Sequence, residues 1–301
     1  MSLLESKFNL CVLELPKDFK MTQGEAYNAL KENLFVELTP TQDFGNGWVF
    51  IDDLFRTDFT MEDSVAVNSV VGGYRFDKKT VPGELLKKLF KEKLKEREKE
   101  EGHKLEKADK DILKDECKQL LLPKVLATPK LVTWIWDVDN NRVYVDAKST
   151  SVVEEFMGLF MRTFKVPKIS IKDFGLNEDQ VGTFLEWIWK NTTNLKDTWI
   201  DNGVTLDATG NTFQFKGPSI DAFLEEIESI KNGKTIKSLN IGCSAEGMDY
   251  SITFNDKNMI VGIECCDKME HESHETAIID NLDRINSLIT KIQETVDQFN
   301  A

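Results

Sequence analysis

The apolar and polar positions predict a chain that alternates strands with amphipathic helices. Phe8 to Leu15 (FNLCVLEL) is a short apolar run bounded by Pro16, the pattern of a buried strand. Thr22-Gln-Gly-Glu25 has the composition of a helix-capping box, and Ala26, Tyr27, Leu30 and Leu34 follow it at helical spacing. Gly47-Trp-Val-Phe-Ile-Asp52 and Ser64 to Phe76 read as strands separated by Asp, Asn and Gly. This β-α-β-β order predicts an α+β fold with mixed, mainly antiparallel sheets and packed helices.

From Lys78 to Lys130 the period changes. Pro82 suits a first helical turn, and Leu85, Leu86, Leu89, Phe90 and Leu94 form a helical stripe. Gly102 interrupts it. A second helix runs from about Glu106 to Leu121, with Ile112, Leu113, Cys117 and Leu120 as its apolar face and Pro123 as its stop. Two antiparallel helices joined by a short turn, protruding from the rest, are the expected arrangement.

Strand patterns then return. Val132 to Val138 and Arg142 to Asp146 flank Asp139-Asn140-Asn141, a good hairpin turn. Ser149 or Thr150 is placed to cap a helix carrying Val153, Phe156, Met157 and Phe160. A strand over Lys168 to Ile171 and a helix around Gln180 to Trp189 follow. Thr205 to Phe215 reads as a hairpin about Gly210, and Ser219 as the cap of a helix over Ile220 to Ile230 that stops at Asn232-Gly233. Ile236 to Ile241, Tyr250 to Phe254 and Met259 to Glu264 are three short strands. A long last helix, about Glu275 to Phe299, carries Ile278, Leu282, Ile285, Leu288, Ile289, Ile292 and Val296. The pattern divides into a central α+β unit (1–76 with 131–175), a helical-hairpin tip (77–130) and a second α+β unit with the long helix (176–301).

Composition sharpens this picture at one place. The 301 residues have a formal net charge of -14, with 38 Lys and Arg against 52 Asp and Glu. The stretch 78–130 holds 16 of those basic residues and 11 of the acidic ones, leaving 22 and 41 elsewhere. Acidity argues against uniform attraction to nucleic acid, but a local basic surface escapes that argument. Lys91, Lys95 and Lys99 recur at a spacing of four, as do Lys110, Lys114 and Lys118, interleaved with Glu and Asp. Such rows read either as a solvated surface laced by i,i+4 pairs or as lysines facing phosphates. Periodicity does not choose between them.

Other candidate chemistry is thinner. Asp137, Asp146 and Lys148 resemble the carboxylates and lysine of a Mg²⁺-dependent nuclease, on a hairpin expected to bring them together. His271 and His274, within CCDKMEHESHETA, have metal-ligand character but no matching second set, so a capping or surface role is expected. The five cysteines are scattered without a CxxC, as reduced and mostly buried thiols are. No phosphate loop, GxGxxG or GxSxG occurs. The six tryptophans lack interleaved basic residues and are expected in cores and interfaces rather than as base-stacking platforms. No cofactor is expected. The N-terminus lacks a secretory pattern and no apolar run reaches the roughly 20 residues of a membrane span, so a cytoplasmic protein is expected.

Across the basic stretch and beyond it, the sequence resembles the recombination-associated protein RdgC family. Val81-Pro82, LEKADKDILKDECKQLLLPK and TWIWDVDNNRVYVDAKS carry the resemblance, above all Lys110 to Glu116, Leu121 to Pro123, Trp134-Ile135 and Val145-Asp146. Gly47-Trp-Val49 upstream and Asn232-Gly233-Lys234 downstream fit the same pattern. The resemblance implies a non-enzymatic, nucleoid-associated protein that binds duplex DNA with little sequence preference, with single-stranded DNA as a further candidate partner. It further implies a ring-shaped homodimer with a basic hole, restraining the RecA recombinase. Phosphate contacts are then expected from Lys91, Lys95, Lys99, Lys104, Lys107, Lys110, Lys114 and Lys118, with Lys216 and Lys234 as further candidates. Dimer contacts are expected at Gly102 and His103, where the family usually has a basic residue, and at Val125 and Leu126, where it favours an aromatic. Lys148 is not part of the family pattern, which weakens the nuclease alternative. A third reading is an interaction scaffold whose hairpin pairs with another helical protein.

Overall fold

The computed structural model describes all residues except 1–2, 209–210, 218–219, 221–223, 256–257, 267–270 and 272. The apolar run near the N-terminus becomes strand β1 (Lys7–Glu14). Phe8, Leu10 and Val12 enter one core and Cys11 and Leu13 another, so β1 is buried on both faces and shows no polar alternation. Thr22 caps helix α1 (Gln23–Glu32) in a complete capping box with Glu25, as the sequence predicts. Strand β2 (Phe44–Val49) follows. The expected strand from Ser64 to Phe76 is instead three pieces: a short helix α2 (Met61–Ser64), a two-residue strand β3 (Val65–Ala66) and strand β4 (Ser69–Lys78). The break is a tight turn in which Asn68 takes a left-handed φ of 53°.

Helices α3 (Gly83–Glu101) and α4 (Lys107–Leu121) come next, then a 3₁₀ turn over Leu122–Lys124. Strands β5 (Thr128–Asp137) and β6 (Arg142–Asp146) form the expected hairpin, with Asn141 left-handed in its turn. Helix α5 (Thr150–Phe164) begins after Ser149 at the cap position, although its hydroxyl makes no capping bond. Only Ser170–Ile171 of the next predicted strand pairs, as β7, while helix α6 (Glu178–Asn191) is longer than predicted because Asn177 and Gln180 form a further capping box. A 3₁₀ turn (Thr192–Asn194) leads into strands β8 (Thr198–Ala208) and β9 (Asn211–Lys216). Helix α7 (Leu224–Lys231), strands β10 (Thr235–Ala245), β11 (Met248–Asn255) and β12 (Asn258–Cys265), and helix α8 (His274–Asn300) complete the chain. Gly210 and Ser219, predicted as turn and cap, lie outside the described residues.

Where several mixed sheets were expected there is one. Its order is β2-β4-β5-β6-β1-β12-β11-β10-β8-β9, with β3 on β4 and β7 on β1, and every ladder is antiparallel. β1 is the joint, pairing with β6 on one side and β12 on the other, so the first and last thirds share one hydrogen-bonded surface.

Two cores lie on the two faces. On one, α1 and α5 cover the half of the sheet that contains β2, β4, β5 and β6, around Trp48, Trp134, Trp136, Phe156, Phe160 and Phe164. Trp48 is the hub, 5.2 Å from Trp134 and 5.8 Å from Phe156 between ring centroids, and its indole N–H donates to Thr163 at 2.8 Å. On the other face α6 and α8 cover β8 and β10–β12 through Phe184, Leu185, Ile188, Ile285, Leu288, Ile292 and Val296. The same core extends to Ile135 and Tyr144 on the other half of the sheet. Among the described residues one quarter has no helix: the face that α1 and α5 cover is left open over β8–β12. Among the described residues no helix is long and apolar enough to cross a membrane.

Candidate nucleic-acid interface

The α3–α4 pair is built from its turn outward. Gly102 closes α3 in the left-handed conformation (φ 74°), which Gly adopts without a Cβ penalty, and its N–H returns to the Glu98 carbonyl. Glu98 also accepts from the Leu105 N–H at 3.2 Å, and Leu105 is buried, so the loop folds back on α3. Arg97 reaches Glu116 at 3.2 Å, which sets the helices side by side in opposite directions. Their shared seam is thin. No residue of α3 is buried and only Leu113 and Cys117 of α4 are, while Leu85, Ile112 and Leu120 of the predicted stripes remain exposed.

This thin seam leaves the charged rows in solvent. At 3.6 residues per turn, Lys91, Lys95 and Lys99 fall on the side of α3 opposite the half-buried Leu86, Phe90 and Leu94. Lys107, Lys110, Lys114 and Lys118 share one line along α4. The ion pairs within α3 are Lys87 with Glu84, Lys93 with Glu96 and Arg97 with Glu101. None involves the lysines of the two rows. Lys91, Lys95, Lys99, Lys104, Lys107, Lys110 and Lys114 have no carboxylate within 4.0 Å among the described residues. Lys118 differs: it donates to Asp43 at 3.0 Å, holding that carboxyl below its usual range and tying α4 to the loop before β2.

The bare quarter of the sheet is a second basic surface, which sequence reasoning missed. It forms an open groove of about 990 Å³ floored by Asn202, Thr205, Gln214, Asn240, Ser251 and Thr253 and rimmed by Lys7, Lys148, Lys216 and Lys237. Strand alternation explains the floor: Val204, Leu239, Ile252 and Ile263 point to the core, and their polar neighbours point out. That alternation was the available signal, legible in Ser251-Ile-Thr253 and Leu239-Asn-Ile241. Lys7 pairs with Glu264 at 2.5 Å and Lys237 with Asp207 at 3.1 Å, while Lys216 is exposed. Lys234, the companion of Lys216 among the predicted contacts, lies elsewhere: its ammonium sits 5.1 Å from the ring of Phe213, whose neighbour across the ladder, Leu206, belongs to the opposite face.

The structure does not unite Asp137, Asp146 and Lys148. Asp137 pairs with Arg142 at the turn end of the β5–β6 hairpin, and Asp146 lies four residues further along β6, about 13 Å away. Each is occupied. Asp137 is buried and accepts from the Asn140 N–H (3.0 Å), the Asn140 amide (2.7 Å) and the Asn286 amide of α8 (3.1 Å). Asp146 accepts from the Asn9 N–H at 2.8 Å; burial raises its pKa, and the Asn9 bonds and Lys148 oppose the rise. His271 binds Asp280 at 3.0 Å and His274 lies 3.6 Å from Asp52, so the two histidines turn to separate carboxylates. Among the described residues no group of three metal-ligating side chains occurs. No disulfide links the cysteines, and burial raises Cys11 to about 12 and Cys243 to about 11, leaving them as unreactive thiols.

Nor are the four expected dimer residues one patch. Gly102 and His103 are at the turn, whereas Val125 and Leu126 follow α4 at its other end, about 22 Å away along a 15-residue helix. Leu126 is 90% exposed, an isolated apolar side chain at the root of the pair.

Comparison with known proteins matches this chain to a family over almost its whole length. A relative from Aeromonas hydrophila, named "Recombination-associated protein RdgC", is 24% identical over 299 residues, covering 97% of this chain and 94% of that one. The protein of the same name from Proteus mirabilis is 27% identical over 182 residues, 60% of this chain and 58% of that one. One from Actinobacillus pleuropneumoniae serotype 7 is 34% identical over 117 residues, 38% of this chain and 37% of that one. The family model described as "RdgC: Putative exonuclease, RdgC" matches residues 8–299, strands, hairpin and last helix together, and the chain belongs to the RdgC family.

Proposed function

We propose that this protein acts in DNA recombination as a sequence-nonspecific DNA-binding protein, a homodimer that closes around duplex DNA and limits the access of RecA. The observation that carries the reading is the row of seven lysines on α3, α4 and their connection, unpaired among the described residues, in a chain whose remainder is strongly acidic. Ammonium groups free of carboxylates are available to phosphates, and releasing DNA counterions would drive the association. The polar groove over β8–β12, with Lys148 and Lys216 at its rim, supports a second run of backbone contacts. Its amides and hydroxyls suit phosphate and sugar oxygens, which position a duplex without reading its sequence. The recombination-associated names of the relatives agree with such a role. It would place the protein on the nucleoid, in the cytoplasm.

The experiment is a titration of unrelated duplexes at rising salt. Similar affinities are expected for all of them, falling by about a thousandfold or more between 50 and 200 mM salt if six or more phosphates are contacted. Tight binding to one sequence, insensitive to salt, would overturn the reading. Single-stranded DNA in the same titration ranks the two substrates.

A further inference from the structure

Five of the six tryptophans are absorbed by the two cores. Trp48, Trp134 and Trp136 are buried among the phenylalanines of α5, and Trp187 and Trp189 of α6 pack against the core that α6 and α8 cover. Trp187 lies 5.7 Å from the Phe299 ring, and the Trp189 indole N–H donates to Glu228 at 2.6 Å. Trp199 of β8 belongs to neither core. Among the described residues no ring stacks on it, no cation lies over it and its indole N–H donates no hydrogen bond; it is half-buried.

Strand register shows where the indole lies. Trp199 pairs with Gly242, Gly242 with Ser251 and Ser251 with Glu264, a row across β8, β10, β11 and β12. Ile241 and Cys243, on either side of Gly242, point into the core that α6 and α8 cover, so the Gly242 row faces the open side. A Cβ on Gly242 would overlap the indole, so Trp199 lies across the glycine backbone on the face of the groove floor. Asn240, the next residue of β10 on that face, belongs to the floor. Lys216 of the rim stands opposite Gly203, four residues and about 13 Å along β8 from Trp199.

We propose that Trp199 is a stacking platform for an unpaired nucleobase of a DNA strand whose backbone runs in the polar groove. The inference rests on the DNA-binding reading and adds to it a subsite for single-stranded nucleotides. An indole with one face on glycine backbone and no ring on the other has area to offer a planar partner, and such stacking tolerates any base. Charge decides which part of the nucleotide it meets. Desolvation raises the Cys266 thiol and Asp201, Asp249 and Glu264 add to the rise, which places three carboxylates at this end of the sheet. Carboxylates disfavour a phosphate here, whereas Lys148 and Lys216 rim the groove. A base over Trp199 with its phosphates towards Lys216 satisfies both ends. In an intact duplex the bases stack on one another, so the platform is open to strand ends, gaps and single strands only.

The test uses the full chain and an oligothymidine strand carrying one iodouracil, which cross-links on irradiation to an aromatic side chain that it stacks on. The cross-linked peptide is expected to contain Trp199. Trp199→Leu keeps an apolar cover over Gly242 and removes the π-face. It is expected to weaken single-strand binding by about fivefold or more, with unchanged duplex affinity and melting temperature. Trp199→Phe, which keeps a ring, is expected to retain most of the single-strand affinity. Single-strand affinity that Trp199→Leu leaves unchanged overturns the inference, wherever the cross-link falls. So do equal losses for single strand and duplex, because Trp199 then supports the sheet and meets no base. Salt-dependent duplex binding alongside either result sinks the platform alone. Single-strand binding that depends on Trp199, in a protein that fails to bind duplex, sinks the functional reading and leaves the platform standing. A protein that binds neither form overturns both.

Discussion

Asp137 and Asp146 show at the residue scale how similar carboxylates acquire different roles from their surroundings. Asp137 is buried and satisfies Asn140 and Asn286, so Asp137→Ala leaves those donors without an acceptor. The expected loss is about 2 kcal/mol or more, read from urea unfolding. Asp146 behaves in the opposite way. Its raised pKa means that the folded state binds a proton more readily than the unfolded one, so its ionised form costs stability above the folded pKa. That cost vanishes as pH falls through the folded pKa. Asp146→Asn keeps an oxygen for the Asn9 N–H and cannot ionise, so the variant should gain on the wild type at pH 7 and match it near pH 3. A gain that is larger at pH 3 than at pH 7 would refute this sign. The spacing of these residues in the sequence is that of a metal-binding pair; the antiparallel register separates them, because four residues of strand span more than one ion can bridge.

At the element scale the hairpin's seam is thin, and this decides what its lysines do. Its helices draw little stability from tertiary burial and rely on helix-forming composition and on ion pairs such as Arg97–Glu116. Surface substitutions along the free rows should therefore leave stability within about 0.5 kcal/mol. Replacing Lys91, Lys95 and Lys99 by Glu, and separately Lys110 and Lys114, is expected to weaken duplex binding. The salt slope should flatten by about 0.9 for each phosphate that is no longer neutralised. The helix whose variant keeps the wild-type slope faces away from DNA. If neither variant changes it, the hairpin is not at the interface. The lysine rows, Gly102 and Pro123 were legible from spacing and turn chemistry alone. Lys118 was not distinguishable from its neighbours in the row, because its partner Asp43 is 75 residues away in the sequence.

For the whole molecule, the salient property is a sheet that runs unbroken from one end to the other with one face half covered. The uncovered half carries polar side chains and lysines, and the carboxylates considered for Mg²⁺ are dispersed elsewhere. The expectation is that linear duplex DNA incubated with the protein and Mg²⁺ is bound and not degraded. Cleavage that disappears in Asp137→Ala or Asp146→Ala would show that these groups meet in a conformation different from this one. The family's description as a putative exonuclease makes that assay worth running.

The sequence by itself determined most of the elements, because what specifies them is local: strand alternation, helical stripes, the Thr22–Glu25 capping box, Pro82 and the Asn-rich turn before Arg142 act over a few residues. It also determined the segregation of charge, which is a matter of counting along the chain. Tertiary structure alone decided that β1 fuses the strands into one sheet, that Lys216 and Lys234 belong to opposite faces, and that a polar groove opens over β8–β12. These depend on strand register and on which faces the helices cover, and the joint at β1 rests on pairings with residues more than a hundred positions away. Lys7 beside Glu264, 257 residues away, is one such pairing, and no local pattern encodes it.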